Sequence, residues 1–118
     1  MSKQSISNFS QRVYHLCSQI PTGKISTYKY LSQSLNSSPR AVGQALAKNP
    51  FAPEIPCHRI IASNFYLGGY KGEWGENNNS NIIFTKRNLL FEEGIIFDNH
   101  GYLLKNLRKK VIFRDFHE

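Results

Sequence analysis

TYKYLSQSLNSSPRAVGQALAKNP, residues 27–50, holds two helix starts and two helix stops. Thr27 can cap a short helix on which Leu31 and Leu35 lie one turn apart, and Asn36-Ser37-Ser38 breaks it. Ser38 followed by Pro39 is a strong second start. A capping hydroxyl is joined there to a residue whose fixed φ suits the first helical position and whose missing N–H costs nothing. This helix runs to about Lys48 and stops at Asn49-Pro50, because the residue before a proline avoids the α region. Two short helices joined by a small polar turn predict a helix-turn-helix.

The second of these helices has two unlike faces. Ala41, Val42, Ala45 and Leu46 form an apolar side, and Arg40, Gly43, Gln44 and Ala47 form the other. The latter carries one cation at the positive end of the helix, then small residues. Small residues let a helix lie close against another backbone, and an arginine suits phosphates or a base edge. An ordinary surface helix weakened by glycine accounts for the same residues equally well.

Upstream, residues 8–19 read as a helix capped by Ser7 or Asn8, with Phe9, Val13, Leu16, Cys17 and Ile20 near spacings of three and four. Cys17 lies on that stripe and reads as plain core. The turn PTGK (21–24) ends the element. Downstream, GEWGENNNSN (72–81) is rich in Gly and Asn with no apolar period and reads as a loop. Thr85 is expected to cap a helix, TKRNLLFEEG, with Gly94 at its stop. At the helical pitch Glu93 falls between the directions of Leu89 and Leu90, so a carboxylate points where the apolar face points, at the negative end of the dipole. A carboxylate so placed needs a partner and is a candidate for function; a solvated last turn is the plain alternative, and it suits Glu92. IIFDNHGYLL (95–104) alternates partly around Asn-His-Gly and predicts a hairpin.

The chain has 118 residues, 40% of them hydrophobic, which fits one domain with one modest core. No stretch approaches the roughly 20 apolar residues of a membrane span, and the N-terminus lacks the apolar centre of a signal peptide. A nuclear protein in a eukaryote, otherwise a cytoplasmic one, is expected, with no membrane partner. Two cysteines, Cys17 and Cys57, are too few for a disulfide framework. With no C-x-x-C and four scattered histidines, no metal site is expected. A net charge of +7 and a pI near 9.6 favour an acidic partner, most simply nucleic acid, although a generally basic surface fits as well.

IPCHRII (55–61) sets a thiol beside an imidazole. The pair could be inert core, half of a metal site, or a nucleophile beside its base. Neighbours in sequence do not face each other in a helix or strand, so Cys57 and His58 cooperate only if the backbone turns sharply or a water bridges them. Pro56 and the apolar run after the pair fit a turn leading into a buried element. A neutral imidazole can take the thiol proton while a carboxylate holds its tautomer, and by pattern Glu93 is the best placed carboxylate.

IPCHRII resembles the active-site motif of the O6-alkylguanine-DNA alkyltransferases, or methylated-DNA–protein-cysteine methyltransferases. GKISTY (23–28), PRAVGQALAKNP (39–50), GGY (68–70), KRNLLFEEG (86–94) and IIFD (95–98) follow in that family's order, so the likeness spans about residues 9–98. The resemblance implies that Cys57 is the acceptor thiolate, that His58 removes its proton through a water, and that Glu93 holds His58. It implies that Asn49 braces the turn carrying Cys57, and that Tyr28 sits by the flipped base and helps stabilise charge on the leaving guanine. Arg40 would enter the base stack. Gly43, Gln44 and Ala47 would lie in the minor groove, and the backbone at Ile60 and Lys71, with Tyr70, would line the base pocket. The implied partner is double-stranded DNA containing O6-alkylguanine, bound by a monomer that uses no cofactor.

Three departures accompany this likeness. The family's usual N-terminal domain is expected to be absent, position 71 is lysine where many members have a small residue, and residues 72–84 read as a loop insertion. Rival readings are an alkyltransferase-like lesion sensor, in which the cysteine is usually tryptophan, a cysteine hydrolase using the same three residues, and a winged-helix transcription factor. The expected fold is mainly α (α+β): one winged helix-turn-helix-like active-site domain over residues 1–118 with a short β-hairpin.

Overall fold

Helix α1 (Asn8–Cys17) begins where Ser7 leaves the extended region and its hydroxyl accepts from the Ser10 N–H, so Ser7 is the capping residue of the two candidates. This computed structural model describes residues 6–69 and 81–118. Val13, Tyr14, Leu16 and Cys17 are buried on one side of α1. The turn after it closes through the Lys24 N–H on Pro21 O at 3.1 Å. The chain then passes through β1 (Ser26–Thr27) straight into α2 (Tyr28–Ser34), crosses Asn36 at a φ of 54°, and enters α3 (Pro39–Ala47). Both expected caps form: Thr27 Oγ1 accepts from Tyr30 N and Ser38 Oγ from Ala41 N, each at 3.1 Å.

These three helices pack together through Leu31, Leu35, Val42, Ala45 and Leu46, all buried, and the Tyr14 hydroxyl donates to Ala45 O at 2.7 Å. Each fully buried aliphatic side chain contributes about 1.5–3 kcal/mol. The helix-turn-helix is therefore held on α1 as a rigid unit.

The ordered sheet is a parallel pair, β1 with β2 (Ile60–Ile61), Ser26 opposite Ile60 and Thr27 opposite Ile61. Strands of two residues have no period to read, which is why periodicity does not reveal them. On the outer side of β1, Ile25 bridges Ile112 in parallel, donating to Val111 O at 2.8 Å and accepting from Phe113 N at 2.7 Å. The expected hairpin is present, with Phe97 opposite Leu103 and Asp98 N donating to Tyr102 O at 2.7 Å. The class is mainly α with a small β component, as the pattern predicts.

The fourth helix departs from expectation. Helix α4 (Asn81–Glu92) starts four residues before Thr85, so Thr85 lies within it and positions 81–84 belong to the helix rather than to a loop over 72–84. Asn81-Ile82-Ile83-Phe84 contains no glycine or proline to stop the helix extending backward, and intrinsic preference against β-branched residues is weak. The rest of that expected insertion, 72–80, lies outside the described residues. The far end is as expected. Gly94, at a φ of 86°, follows a helix end in which Ile95 N donates to Leu90 O at 2.9 Å and Gly94 N to Phe91 O at 3.0 Å. Left-handed backbone there favours glycine, and the buried Leu90–Ile95 pair completes the motif.

Leu31 joins α2 to this core with no exposed surface. We expect Leu31→Ala to cost about 2–5 kcal/mol in urea unfolding, because it removes transfer energy and leaves a cavity. A change below about 0.5 kcal/mol, of the size expected for a surface substitution, would contradict this packing.

Candidate active site

Asn49 closes α3 and begins the approach to the thiol. Its side-chain amide donates to Ile55 O at 3.0 Å, while its carbonyl oxygen accepts from Phe51 N at 2.9 Å. Both ends of the 50–55 loop are thereby tied to one buried side chain. Pro56 then takes φ −82° and ψ 65°, and Cys57 N donates to Ile55 O at 2.8 Å. This is an inverse γ-turn, the sharp bend that the Cys-His pair requires. Cys57–Arg59 continue as one 3-10 turn that feeds β2.

Cys57 and His58 are both buried, at 4% and 2% exposure. Successive residues of a 3-10 turn point about a third of a circle apart. His58 accordingly reaches toward Glu93, with Nε2 2.9 Å from Glu93 Oε2. A carboxylate there accepts from an N–H, so the neutral ring carries its proton on Nε2 and its lone pair on Nδ1. Nδ1 is buried and has no hydrogen-bond partner among the described groups. Burial pulls the His58 pKa below its ordinary value, and the hydrogen bond to Glu93 offsets only part of that. The imidazole is therefore neutral near pH 7, with a free acceptor.

Arg59 is a participant that the sequence reading passes over. Its Nε and Nη2 each lie 2.9 Å from Glu93 oxygens, a two-pronged pair. Nη1 donates to Ile20 O at 2.8 Å and Nη2 also to Thr22 Oγ1 at 3.0 Å, so the guanidinium is anchored to the turn after α1. Burial alone would raise the Glu93 carboxyl; hydrogen bonds from Arg59 and His58 outweigh it and hold the carboxyl below its ordinary range. Arg59 supplies the cation that a partly buried carboxylate beside a neutral histidine still needs. Cys17, by contrast, stays in the core of α1, where burial pushes its thiol far up.

Lys86 is the second participant that the sequence reading misses. It has no exposed surface, and its ammonium donates to Ile60 O, Leu67 O and Gly69 O, each at 2.7 Å. Lys86, Leu90 and Glu93 are four and then three residues apart, on one helical stripe.

A groove of about 500 Å³ runs between the start of α2, α3 and the end of β2. Tyr28, Arg40, Gly43, Gln44 and Ala47 all line it, together with Lys29, Ala62 and Ser63. The structure thus gathers the five groove residues singled out from the sequence on one face, and Ala62 follows directly on the strand after the Cys57 turn. Ile60 is fully buried, with its carbonyl taken by Lys86. Tyr28 donates to Gly69 O at 3.4 Å, and burial raises its hydroxyl pKa. Tyr70 and Lys71 lie outside the described residues. Among the described residues no three His, Cys, Asp or Glu side chains group to hold a metal, and no helix is long and apolar enough to cross a membrane.

Fold and site together define a small winged-helix domain with a buried thiol and imidazole and a partly buried carboxylate behind its helix-turn-helix. Residues 8–95 match the family model of the 6-O-methylguanine DNA methyltransferase DNA-binding domain, and the chain belongs to that family. A methylated-DNA–protein-cysteine methyltransferase of Sulfolobus acidocaldarius is 44% identical over 90 residues, covering 76% of this chain and 52% of the relative. The chain spans about half the length of the curated relatives it matches. Among solved structures, Mycobacterium tuberculosis OGT in complex with DNA is 34% identical, with a TM-score of 0.64 over 75% of this chain and 51% of that one. S. pombe Atl1, in complex with damaged DNA containing O6-carboxymethylguanine, is 25% identical with a TM-score of 0.69, over 92% of this chain and 97% of that one.

The Glu93 cluster has a signed pH dependence. Glu93 is depressed in the folded protein, so its stabilisation is complete above the unfolded carboxyl value of about 4.3 and is lost as pH falls through the folded one. His58 is depressed too, so its neutral form stabilises fully above about 6.5 and protonation erodes that on acidification. We expect Glu93→Gln to lower urea stability by about 3 kcal/mol near neutral pH, because it leaves Arg59 uncompensated. That gap should shrink as the pH falls through the depressed value of the folded wild-type Glu93, below which that group is protonated as well. A gap that stays constant across the range would contradict the pairing.

Proposed function

We propose that this protein repairs O6-alkylguanine in double-stranded DNA by moving the alkyl group onto Cys57, once per molecule. The observation that carries the proposal is the geometry of His58: Nε2 bound by Glu93, and Nδ1 buried, basic and without a partner among the described groups, on the turn that bears Cys57. A water between Nδ1 and Sγ takes the thiol proton to the imidazole. The thiolate attacks the alkyl carbon in line with the C–O6 bond. The S–C bond forms, the C–O6 bond breaks, and the electron pair leaves on guanine. Tyr28, in the groove wall, stabilises that negative charge. The thioether has no easy route back, so each molecule reacts once and needs no cofactor.

The target atom cannot be reached inside a duplex, so the base is extruded, at a cost of a few kcal/mol. O6-Alkylation weakens pairing and lowers that cost. Arg40, exposed at the start of α3, fills the gap in the stack. Gly43 and Ala47 let α3 approach the minor-groove walls, and a basic chain of net charge +7 supplies sequence-independent attraction. The protein acts as a monomer in the compartment that holds DNA, the nucleus in a eukaryote and otherwise the cytoplasm.

Two variants separate chemistry from binding. Cys57→Ala should abolish transfer and leave lesion-duplex affinity within about threefold, a change well under one kcal/mol. Transfer equal to wild type would exclude Cys57 as acceptor. Arg40→Ala should slow repair of duplex DNA far more than reaction with free O6-benzylguanine, since only the duplex requires a filled stack. Equal losses on both substrates would remove that role.

A further inference from the structure

The chain has six arginines, and four of them are tied down within the fold. Arg12 pairs with Glu118 at 2.7 Å and Arg59 with Glu93 at 2.9 Å. Arg87 donates to Phe97 O and Asp98 O. Arg108 donates to Leu103 O and lies 4.5 Å from the centre of the Phe65 ring. Two stay exposed with no carboxylate partner among the described residues: Arg40, which has a place in the reading above, and Arg114, which has none.

The position of Arg114 follows from strand direction. Ile25 bridges Ile112 in parallel, donating to Val111 O and accepting from Phe113 N, so the chain at 111–113 runs beside β1 in the same direction. β1 and β2 are parallel as well. Parallel strands deliver the residues that follow them to the same end of a sheet. There β2 leads to Ala62 and Ser63, and β1 to Tyr28 and Lys29, and all four line the groove. The third run brings Arg114 to that same end. Its guanidinium lies 5.3 Å from the centre of the Tyr30 ring, and Nη1 donates to Tyr30 Oη at 3.2 Å. Tyr30 belongs to the first turn of α2, two residues after Tyr28. The segment beyond is fastened too: Gln19 bonds both backbone groups of His117, and Arg12 grips Glu118 with two bonds. Asp115, next to Arg114 in sequence, pairs with His117 at 3.3 Å instead.

We infer that Arg114 is a further DNA contact, which seats a backbone phosphate at the rim of the groove. The inference rests on the DNA-binding part of the reading above. It extends the interface to a segment outside residues 8–95, the part that matches the family model. A guanidinium suits phosphate because its planar fork presents paired donors, and stacking on an aromatic face leaves those edges open. Among the described residues only the donor on Tyr30 is spent, so the others remain for phosphate oxygens. Tyr30 already fixes the side chain, so less rotamer freedom is lost when the phosphate arrives. Phosphate contacts orient a protein on the duplex without reading sequence. Arg114 therefore adds affinity and register, not preference for the lesion.

The test follows binding of a labelled undamaged duplex by fluorescence anisotropy against salt concentration, in wild type, Arg114→Ala and Arg114→Lys. Loss of one phosphate contact lowers the slope of log K against log salt by about 0.9. Arg114→Ala should lose that much, and Arg114→Lys, which keeps the charge, should lose less than half of it. An unchanged slope in Arg114→Ala, or equal losses in both variants, would overturn the inference. A second measurement needs no variant: phenylglyoxal modification of wild type, mapped by peptide with and without duplex. The duplex should protect Arg114 together with Arg40. Protection of Arg40 with Arg114 still reacting at its DNA-free rate would overturn the inference and leave the groove reading standing. DNA binding with these results but no alkyl transfer would sink the repair chemistry and keep Arg114 as a DNA contact. No DNA binding by wild type would sink both.

Discussion

The Glu93 carboxylate, held by Arg59 and His58, is the interaction on which this site depends. It ends α4, yet its hydrogen bonds draw in the turn after α1 through Arg59 and the thiol-bearing turn through His58. A carboxylate drawn largely out of water is costly unless it is paired and hydrogen-bonded, and the two-pronged guanidinium provides that pairing. The division of labour matters chemically. Burial keeps the imidazole neutral, the Arg59 charge works in the same direction, and the second nitrogen has no partner among the described groups and can act as a base.

The two cysteines show how far local structure separates like residues. Cys17 lies on an apolar stripe of a regular helix, and burial removes its acidity. Cys57 is equally buried but sits at an inverse γ-turn, beside an imidazole and near a lysine ammonium. Accessibility does not distinguish the two thiols. The difference lies in the local backbone: a regular helix points Cys17 into the core, whereas the sharp bend at Pro56 sets Cys57 on the turn that carries His58.

Much of this was legible in the residues because the governing forces are local. Ser7, Thr27 and Ser38 cap their helices, and Gly94 ends α4, since capping depends on a few adjacent atoms. Glu93 stood out because its helical phase conflicted with its charge. The parallel pair Ser26–Thr27 with Ile60–Ile61 was not legible, because long-range pairing of two-residue strands leaves no periodic mark. The start of α4 was placed too late because a threonine was taken as a cap inside a run that nothing interrupts. Lys86 and Arg59 were missed for one reason: a cation on a helix or after a motif reads as surface until the acceptors that bury it are known. For Lys86 those acceptors are three backbone carbonyls, and for Arg59 the Glu93 carboxylate, Thr22 Oγ1 and Ile20 O, which only the folded chain assembles.

The central claim is that Cys57 is the acceptor of an alkyl group from DNA. The most direct measurement is intact-protein mass after incubation with a duplex carrying one O6-methylguanine, followed by peptide mapping. The account predicts a gain of one methylene mass on the peptide containing Cys57, saturating at one per protein molecule. Tight lesion binding with no mass gain would contradict it and leave a lesion-binding protein with a silent thiol.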